Sequence, residues 1–367
     1  FVDEPAFRKT ICRGQNLQGR LVFINFAAMK TLGVVLLALS LLCSCGRKPA
    51  DGRVFTVETM NGITPVKQQG GGSAGWVYAM LAVIESDRIM QGDSVNLSPA
   101  YIVRSMLERQ AQRCYLSAGT EGVGLRGTAL GLLDALEEYG AMPYDSYRSD
   151  CNYDVLCRKL SRLANAAAVR RTGLERLRRS VADVLDNDVN PLPRHVWMYG
   201  AEYTTREFAH SVCLPGDYVA MTSYTHEPFG ESVALCLPAD GMGHKYLNLP
   251  LDTLVSRVVC ALRSGRSVCW EGGVKGGGFS FERGMADTIG GKERVTQAVR
   301  QRAFESLAVT CDHAMAVVGL ARDASGGLWF ICKDSHGTDN PYGGLVYMSE
   351  QYFRLNTVAV VMKDQSR

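Results

Sequence analysis

The chain has 367 residues, of which 46% are hydrophobic and 21% charged, so it can bury a substantial core. Its formal net charge is only +3, and no long run of lysine and arginine alternates with aromatic residues. A nucleic-acid-binding surface would show such a charge excess, so the composition argues against nucleic acid as a partner.

The N-terminal segment has the pattern of an export signal. Met29 and Lys30 precede the apolar run TLGVVLLALSLL, which is short for a membrane span but suits a signal peptide. The run ends in LCSC, which resembles the bacterial lipobox, in which a cysteine becomes lipid-modified after cleavage; here that residue is Cys45. We therefore expect a signal peptide and lipobox over 29–45 and an exported, membrane-anchored lipoprotein. The alternative is a buried N-terminal helix.

Residues 1–28 lie upstream of this signal, which should itself be N-terminal, so they are interpreted as a non-native extension. A polar tether is expected over 46–60. The rest of the chain contains the fold.

The cysteines give no support to a metal site. Of 12 in all, nine remain once Cys12, Cys43 and Cys45 are set aside, and an odd number cannot all form pairs. No CxxC pair is present, so zinc binding is not expected, and several cysteines are predicted to be small core residues. The sequence predicts neither a metal nor a cofactor.

Three helices and a further helical segment are predicted in the first half. Apolar residues recur at helical spacing from Gly75 to Met90, with Glu85, Asp87 and Arg88 on another face. A second helix follows Ser98, which can cap it, and a third is closed by Gly140. The segment 158–186, rich in arginine, leucine and alanine, is predicted to form surface helices.

The second half is predicted to be a sheet. Its short apolar, β-branched and aromatic runs are separated by turn residues. These runs are GDYVAMTSY, SVCWEG, HAMAVVGLA, LWFICKDS, GLVYMS and TVAVVMK. The glycine-rich stretch 271–281 lacks the GK[ST] ending of a phosphate loop, so a loop at a strand end is expected there.

The segment PVKQQGGGSAGWVYA, 65–79, has the frame of a catalytic loop at a helix start. A thiol nucleophile gains from a helix N-terminus, which lowers its pKa, and needs an imidazole base and an oxyanion donor. The segment resembles the active-site motif of papain-like cysteine peptidases, in which Gln69 matches the oxyanion-hole glutamine and Trp76 the residue after the nucleophile. The nucleophile position is then Gly75, and Ser73 lies two residues too early.

Two downstream segments continue the resemblance. CDHAMAVVGLA, 311–321, is similar to the catalytic-histidine strand and puts His313 in the general-base position. WFICKDSHGT, 329–338, is similar to the Lys-Asn-Ser-Trp-Gly segment, with Asp334 in place of the asparagine that orients the histidine and His336 in place of the tryptophan. An aspartate can still accept the imidazole hydrogen bond, but loss of the tryptophan is expected to expose that bond to water.

Further segments favour the bleomycin hydrolase and aminopeptidase C branch of the family. RQRAFESLAVTCDHAM, 300–315, and NPYGGLVYMSEQYF, 340–353, resemble segments of that branch, and the likeness spans about 58–364. The resemblance implies an α+β, papain-like fold: a helical domain over 61–205 packed against an antiparallel, barrel-like β domain over 206–364, with a cleft between them. The oligomeric state stays open.

Other residues near the site have plainer interpretations. Cys311 shares a strand face with His313 rather than facing it across the cleft, so it is not expected to be a relocated nucleophile. Cys311, His313 and Cys332 lack a fourth ligand at suitable spacing for a metal. The remaining histidines are expected to be structural: His195, His210, His226 and His244.

The leading hypothesis is an exported cysteine peptidase homologue that is catalytically silent because position 75 is glycine, and whose cleft still binds peptide. One alternative is an active cysteine aminopeptidase or peptidase whose native form has cysteine at position 75. Another is a surface module that binds peptides or inhibitors. A third is a structural protein with an unoccupied cleft.

Overall fold

The computed structural model describes residues 53–193, 195–198, 200–288 and 294–364. The predicted extension over 1–28, the signal and lipobox over 29–45 with Cys45, and the start of the tether lie outside the described residues. Within the described ranges, no helix combines the length and the apolar character that a membrane crossing requires.

The first half of the described chain is helical, as predicted. Its helices are α1 (Gly75–Met90), α2 (Pro99–Leu116), α3 (Ala129–Tyr139), α4 (Tyr153–Arg170), α5 (Leu174–Asp188) and α6 (Thr205–Val212). The Ser98 hydroxyl caps α2 by accepting a hydrogen bond from the Tyr101 N–H at 3.1 Å. Gly140 ends α3 with φ of 83°, a conformation that favours glycine. Both predicted helix signals are confirmed.

The second half supplies most of the strands, at the predicted apolar runs. The strands are β1 (Phe55–Met60), β2 (Val196–Met198), β3 (Ala201–Tyr203), β4 (Tyr218–Thr222), β5 (Ser232–Ala234), β6 (Lys245–Asn248), β7 (Val268–Gly272), β8 (Phe279–Ser280), β9 (Met285–Ala286), β10 (His313–Asp323), β11 (Leu328–Lys333), β12 (Leu345–Ser349) and β13 (Thr357–Lys363). Three further helices lie among them: α7 (Leu251–Arg263), α8 (Gln297–Glu305) and α9 (Glu350–Asn356).

The large sheet is mixed and open rather than an antiparallel barrel. Its order is β5-β6-β4-β13-β7-β10-β11-β12-β9-β8, with β1 beside β10, and the order does not return on itself among the described strands. The β4–β6 and β9–β12 pairs are parallel, whereas the long central pairs are antiparallel. The short edge strands β5 and β8 do not pair with each other, so the barrel-like part of the prediction is corrected to an open sheet.

β1 lies inside the predicted tether, and this part of the prediction is wrong. Phe55–Met60 pairs with the second half of β10, beyond the point where β7 ends its pairing with that strand. The Phe55 ring stacks on Tyr347 at 4.3 Å and meets Trp329 edge-on at 5.0 Å between ring centroids. Main-chain pairing and aromatic packing therefore make residues 55–60 part of the sheet.

The sheet has an apolar core on each face. Along β10, Ala314, Ala316 and Val318 belong to the core shared with α1, whereas Met315 and Val317 belong to a second core shared with α7. This alternation follows from the two-residue repeat of a strand. Alanines at the α1 face let that helix approach the sheet closely, and α1 packs against β10 and β7.

α1 is enclosed on almost every side, including the face predicted to be charged. Glu85, Ser86 and Asp87 are all buried. Asp87 accepts hydrogen bonds from the Ser267 N–H at 2.9 Å and the Tyr218 hydroxyl at 2.9 Å, which ties α1 to β7 and β4. The helix is therefore buried along most of its length and is tied to the sheet near its C-terminal end.

The change from helices to strands falls near the predicted boundary at 205/206, where α6 begins. Residues 47–367 cluster as one compact unit, so the boundary between 61–205 and 206–364 stays a prediction.

Candidate active site

Position 75 is the first residue of α1, as the motif predicts. The preceding turn uses glycine at φ of 68° and 120°, at Gly70 and Gly72. The N-cap, Ala74, makes no side-chain hydrogen bond to the helix, so the helix start keeps its electropositive character. Such a place would favour a thiolate, but Gly75 carries no side chain to use it.

Gln69 lies beside this helix start and is tied to the segment that follows β11. Its N–H donates to the Ser335 carbonyl at 2.8 Å, and the Ser335 hydroxyl donates to Gln69 Oε1 at 2.7 Å. Gln69 Nε2 donates to the Gly72 carbonyl at 3.4 Å. The same Oε1 lies 2.9 Å from the point where a Cβ on Gly75 would sit. The glutamine therefore occupies space beside the missing side chain.

His313 and Asp334 form the hydrogen-bonded pair that the resemblance implies. His313 begins β10 and Asp334 follows β11, so the pairing of these two strands brings the residues together. His313 Nε2 lies 3.1 Å from Asp334 Oδ1, and the Ser335 N–H donates to the same oxygen at 2.8 Å. Because Ser335 also holds Gln69, one short segment connects the imidazole, the carboxylate and the glutamine beside Gly75.

His336 adds a third member that the motif did not predict in this role. Its Nδ1 lies 3.0 Å from Asp334 Oδ2, so each oxygen of the carboxylate faces one imidazole. The two imidazole rings lie 5.5 Å apart between centroids. A main-chain bridge between Gln68 and His336 sets this residue beside the glutamine loop.

The charge state of this cluster follows from its contacts. Burial alone would raise the pKa of Asp334, but the hydrogen bonds from His313 and His336 outweigh it and hold that pKa well below its usual value. The hydrogen bond to Asp334 raises the pKa of His336, against the opposing effect of burial. The carboxylate is therefore ionised at neutral pH.

The expectation that this hydrogen bond would be exposed to water is wrong. The Asp334 side chain is 0% exposed and the His313 side chain 10%, although the His336 side chain is 39% exposed. Phe279 packs against the His313 ring and Phe281 against the His336 ring, each at 5.5 Å between centroids. These aromatic rings and His336 cover the carboxylate where the motif would have placed a tryptophan.

Trp76 connects the site to a large cavity. Its Nε1–H donates to the Leu125 carbonyl at 2.8 Å, and Gly127 lies directly against the ring. A cavity of about 1200 Å³ opens beside it. The lining includes Ser73, Trp76, Arg126, Asp134, Arg158 and His244. Ser73 and Trp76 lie on either side of Gly75 in the chain, so the cavity adjoins the helix start.

The structure supports the plainer interpretations of the other candidates. Burial raises the pKa of the Cys311 thiol well above its usual value and also raises that of Cys332, so neither is an activated nucleophile. His244 bridges Asp134 and Asp240, with nitrogen–oxygen distances of 2.8 Å and 2.5 Å. The other histidines also have polar partners: Glu202 for His195, Glu137 for His210 and Gln301 for His226.

Sequence reasoning missed Ser335 and the partnership of His336. Ser335 immediately follows Asp334, so adjacency was the available signal. Neither hydrogen bond could be inferred from spacing, because each depends on how the loop after β11 meets the glutamine loop.

No model of a known protein family and no curated protein matches the chain. Among solved structures, PepW from Lactobacillus rhamnosis HN001 is similar with a TM-score of 0.67 and 14% identity, over 94% of this chain and 93% of PepW. Bromelain protease from Ananas comosus, in complex with the E64 inhibitor, has a TM-score of 0.39 and 12% identity, over 81% of this chain and 92% of bromelain. Digestive procathepsin L 3 of Tenebrio molitor has a TM-score of 0.37 and 14% identity, over 82% of this chain and 66% of the procathepsin. At these identities the likeness concerns the fold alone, and the chain has the α+β fold of the papain-like cysteine peptidases.

Proposed function

We propose that this chain is an exported papain-fold protein, related to the bleomycin hydrolase and aminopeptidase C branch, that binds peptides in its cleft without cleaving them. The observation that carries the proposal is Gly75 at the first position of α1, beside an otherwise assembled site. Gln69, His313 and Asp334 are connected through Ser335, but no side chain extends from the helix start.

Burial keeps most of the described thiols un-ionised, which makes them poor replacements for a nucleophile at position 75. Burial raises the pKa of five of the remaining cysteines, Cys157, Cys213, Cys269, Cys311 and Cys332, by a large margin, which keeps them as thiols. Without an acyl-enzyme, at best a residual acceleration from binding and the oxyanion donors remains, so the rate should fall by about three orders of magnitude or more.

A cavity beside the helix start supports peptide binding, although its lining does not include Gln69, His313 or Asp334. The cavity of about 1200 Å³ is lined by both apolar and charged side chains, including Trp76, Arg126 and Asp134. A volume of this order exceeds the usual range of about 300–1,000 Å³ for small-molecule sites, which suits an extended ligand such as a peptide segment.

The test combines binding and turnover in one purified protein. We expect saturable binding of members of a fluorescent peptide library, measured by anisotropy, and no release of fluorophore from aminoacyl or peptidyl amides under reducing conditions. Covalent labelling of any cleft residue by an acylating substrate analogue would contradict the silent site. Absence of peptide binding, with a melting temperature unchanged by peptide, would favour the structural-protein alternative.

A second candidate is an active cysteine peptidase whose native form has cysteine at position 75. The observation in its favour is the retained His313–Asp334 hydrogen bond of 3.1 Å. Gly75→Cys is the direct test, with Gly75→Ser and Gly75→Cys/His313→Ala as controls. Because the new side chain must displace Gln69, the Gly75→Cys variant is also made with Ser335→Ala, which releases that amide. Amide hydrolysis that requires both the introduced thiol and His313 would support this candidate.

Export and lipid anchoring at Cys45 belong to the same proposal. We expect the protein to fractionate with membranes and to incorporate a radiolabelled fatty acid, and Cys45→Ser to abolish labelling. Unchanged labelling in that variant would place the lipid elsewhere, and recovery of the wild type in the soluble fraction without label would remove the anchor from the proposal.

A further inference from the structure

We propose that His313, Asp334 and His336 bind one divalent transition-metal ion of the Zn²⁺ class. The sequence predicted no metal, because it offered no cysteine-rich ligand spacing. This inference goes beyond peptide binding and does not depend on it. It rests on the arrangement of three side chains that only the fold brings together.

The distances suit one ion between the three groups. The ligand atoms of His313, Asp334 and His336 all lie within 4.8 Å of one another. Two of the separations, from His313 Nε2 and His336 Nδ1 to the carboxylate oxygens, are 3.1 Å and 3.0 Å. Ligands at about 2.0–2.2 Å from a tetrahedral or octahedral ion lie roughly 3.0–3.5 Å apart. The third separation, between the two imidazoles, lies within the 4.8 Å limit and has to shorten for all three ligands to bind one ion.

The donor set indicates the class of ion. Two imidazoles and one carboxylate suit Zn²⁺, Co²⁺ or Fe²⁺, whereas Mg²⁺ and Ca²⁺ prefer oxygen ligands throughout. Three protein ligands leave at least one coordination position for water or for a polar group of a bound peptide. The His336 side chain is 39% exposed, so the ion can enter from that side.

The residues around the three ligands hold the ligand side chains in place, as a metal site requires. The Ser335 N–H fixes one carboxylate oxygen at 2.8 Å, and Asp334 itself is fully buried. His313 lies in the sheet, where its main chain pairs with Gly272, and Phe279 and Phe281 pack on the two imidazoles. Hydrogen bonds to a ligating carboxylate and an apolar surround both favour metal retention.

The experiment titrates the purified protein with Co²⁺ and Zn²⁺. Because Cys236 and Cys260 are exposed thiols that could bind metal themselves, the titrations use a Cys236→Ser/Cys260→Ser background. We expect one equivalent of Co²⁺ with a visible d–d spectrum and no sulfur-to-cobalt charge-transfer band, and one equivalent of Zn²⁺ by calorimetry.

His336→Phe removes one ligand but retains an aromatic ring beside Phe281, so it is the main variant. We expect its affinity for Zn²⁺ to fall at least about tenfold. His210→Phe makes the same chemical change at an exposed histidine paired with Glu137 and should leave the titration unchanged. His313→Ala tests the second imidazole, and circular dichroism shows whether each variant is folded.

No saturable binding in the starting protein would overturn the proposal. So would full retention of the single equivalent in both His336→Phe and His313→Ala, or a cobalt spectrum with a sulfur band. Peptide binding is measured with and without a chelator. If the metal site fails, peptide binding in the presence of the chelator would still support the proposed function. If no peptide binds, one bound equivalent of metal would still support the metal site.

Discussion

Gln69 Oε1 lies 2.9 Å from the point where a Cβ on Gly75 would sit, and the Ser335 hydroxyl holds it there at 2.7 Å. That distance is shorter than ordinary van der Waals contact, so any side chain at position 75 must displace the amide. Gly75 does not have a left-handed φ, so the backbone itself accepts other residues. The absence of a side chain at position 75 and the position of the Gln69 amide are therefore linked by this contact.

A double-mutant cycle measures this coupling. In a Gln69→Ala background, Gly75→Ala should raise the free energy of unfolding by about 0.5–1 kcal/mol, because alanine loses less conformational entropy than glycine in a helix. With Gln69 present the gain should shrink or reverse, since the new Cβ pushes on Oε1. Urea unfolding of the four proteins gives the coupling energy. Additive effects would mean that Gln69 moves away freely.

The loop between α2 and α3 offers a matched pair of glycines beside the cleft. A Cβ on Gly127 would lie 2.4 Å from a ring atom of Trp76, whereas one on Gly124 would meet nothing within 4 Å. Gly127→Ala should therefore lower the unfolding free energy by about 1–3 kcal/mol through overpacking. It should also weaken peptide binding, because the Trp76 ring lines the cavity.

Gly124→Ala is the control, and it should be neutral or slightly stabilising. Urea unfolding and anisotropy with the same labelled peptide measure both variants. Equal behaviour of the two would mean that Trp76 shifts without consequence and that the cavity tolerates the change.

The sequence was sufficient for elements whose pattern is local. α1 follows from helical periodicity after a glycine turn, and β10 and β11 from apolar, β-branched runs. The contact between His313 and Asp334 was predicted from the order of the family motifs and not from their spacing along the chain. The predicted elements are confirmed because each depends on a strong local signal, whereas the catalytic roles given to His313 and Asp334 stay predictions.

Other features depend on tertiary contacts that periodicity does not encode. β1 falls within the range 46–60 that was predicted to be a polar tether, and its pairing with β10 makes it a strand. Glu85 and Asp87 were placed on a charged face, but each is buried and satisfied by groups from distant segments. A charged residue on a helix is usually exposed, so burial with matched partners cannot be inferred from the helix alone.

Glu85 supplies the negative charge for the buried Lys333 and the partly buried Lys67. It accepts hydrogen bonds from Lys67 Nζ at 2.5 Å and from the Leu97 N–H at 2.6 Å, and Lys333 Nζ lies 4.0 Å away. Glu85→Gln keeps the size of the side chain but leaves these ammonium groups without their counter-charge. We expect a loss of about 3–5 kcal/mol in unfolding free energy at neutral pH.

Glu175→Gln provides the comparison, because that carboxylate is exposed and lies 3.9 Å from Arg179 in an exposed pair. Its effect should stay within about 0.5 kcal/mol. Both are measured by urea unfolding. A similarly small loss for Glu85→Gln would show that the lysines find other partners or water when the charge is removed.

Glu271 should make stability depend on pH. It is fully enclosed on β7, where one oxygen accepts the Ala129 N–H at 2.7 Å and the other has no hydrogen-bond partner among the described residues. Burial raises its pKa from 4.5 to about 7, against the opposing effect of the Ala129 N–H. Below pH 4.5 the carboxyl is protonated in both folded and unfolded chains, so it makes no difference there.

As the pH rises from 4.5 towards 7, the unfolded chain loses this proton first, so the folded state becomes less stable. Above that range the loss of unfolding free energy is constant, and the size of the pKa shift puts it at roughly 3 kcal/mol. Glu271→Gln keeps an acceptor for the Ala129 N–H and has no proton to lose. Its stability relative to the wild type should therefore rise across this interval and then level off.

Urea unfolding of both proteins at several pH values measures the difference, with Glu121→Gln, at an exposed carboxylate, as the control. The unfolding free energy of the control should change with pH in parallel with that of the wild type over the whole range. A constant difference between Glu271→Gln and the wild type would mean that water reaches Glu271 and that the carboxylate is solvated in the folded protein.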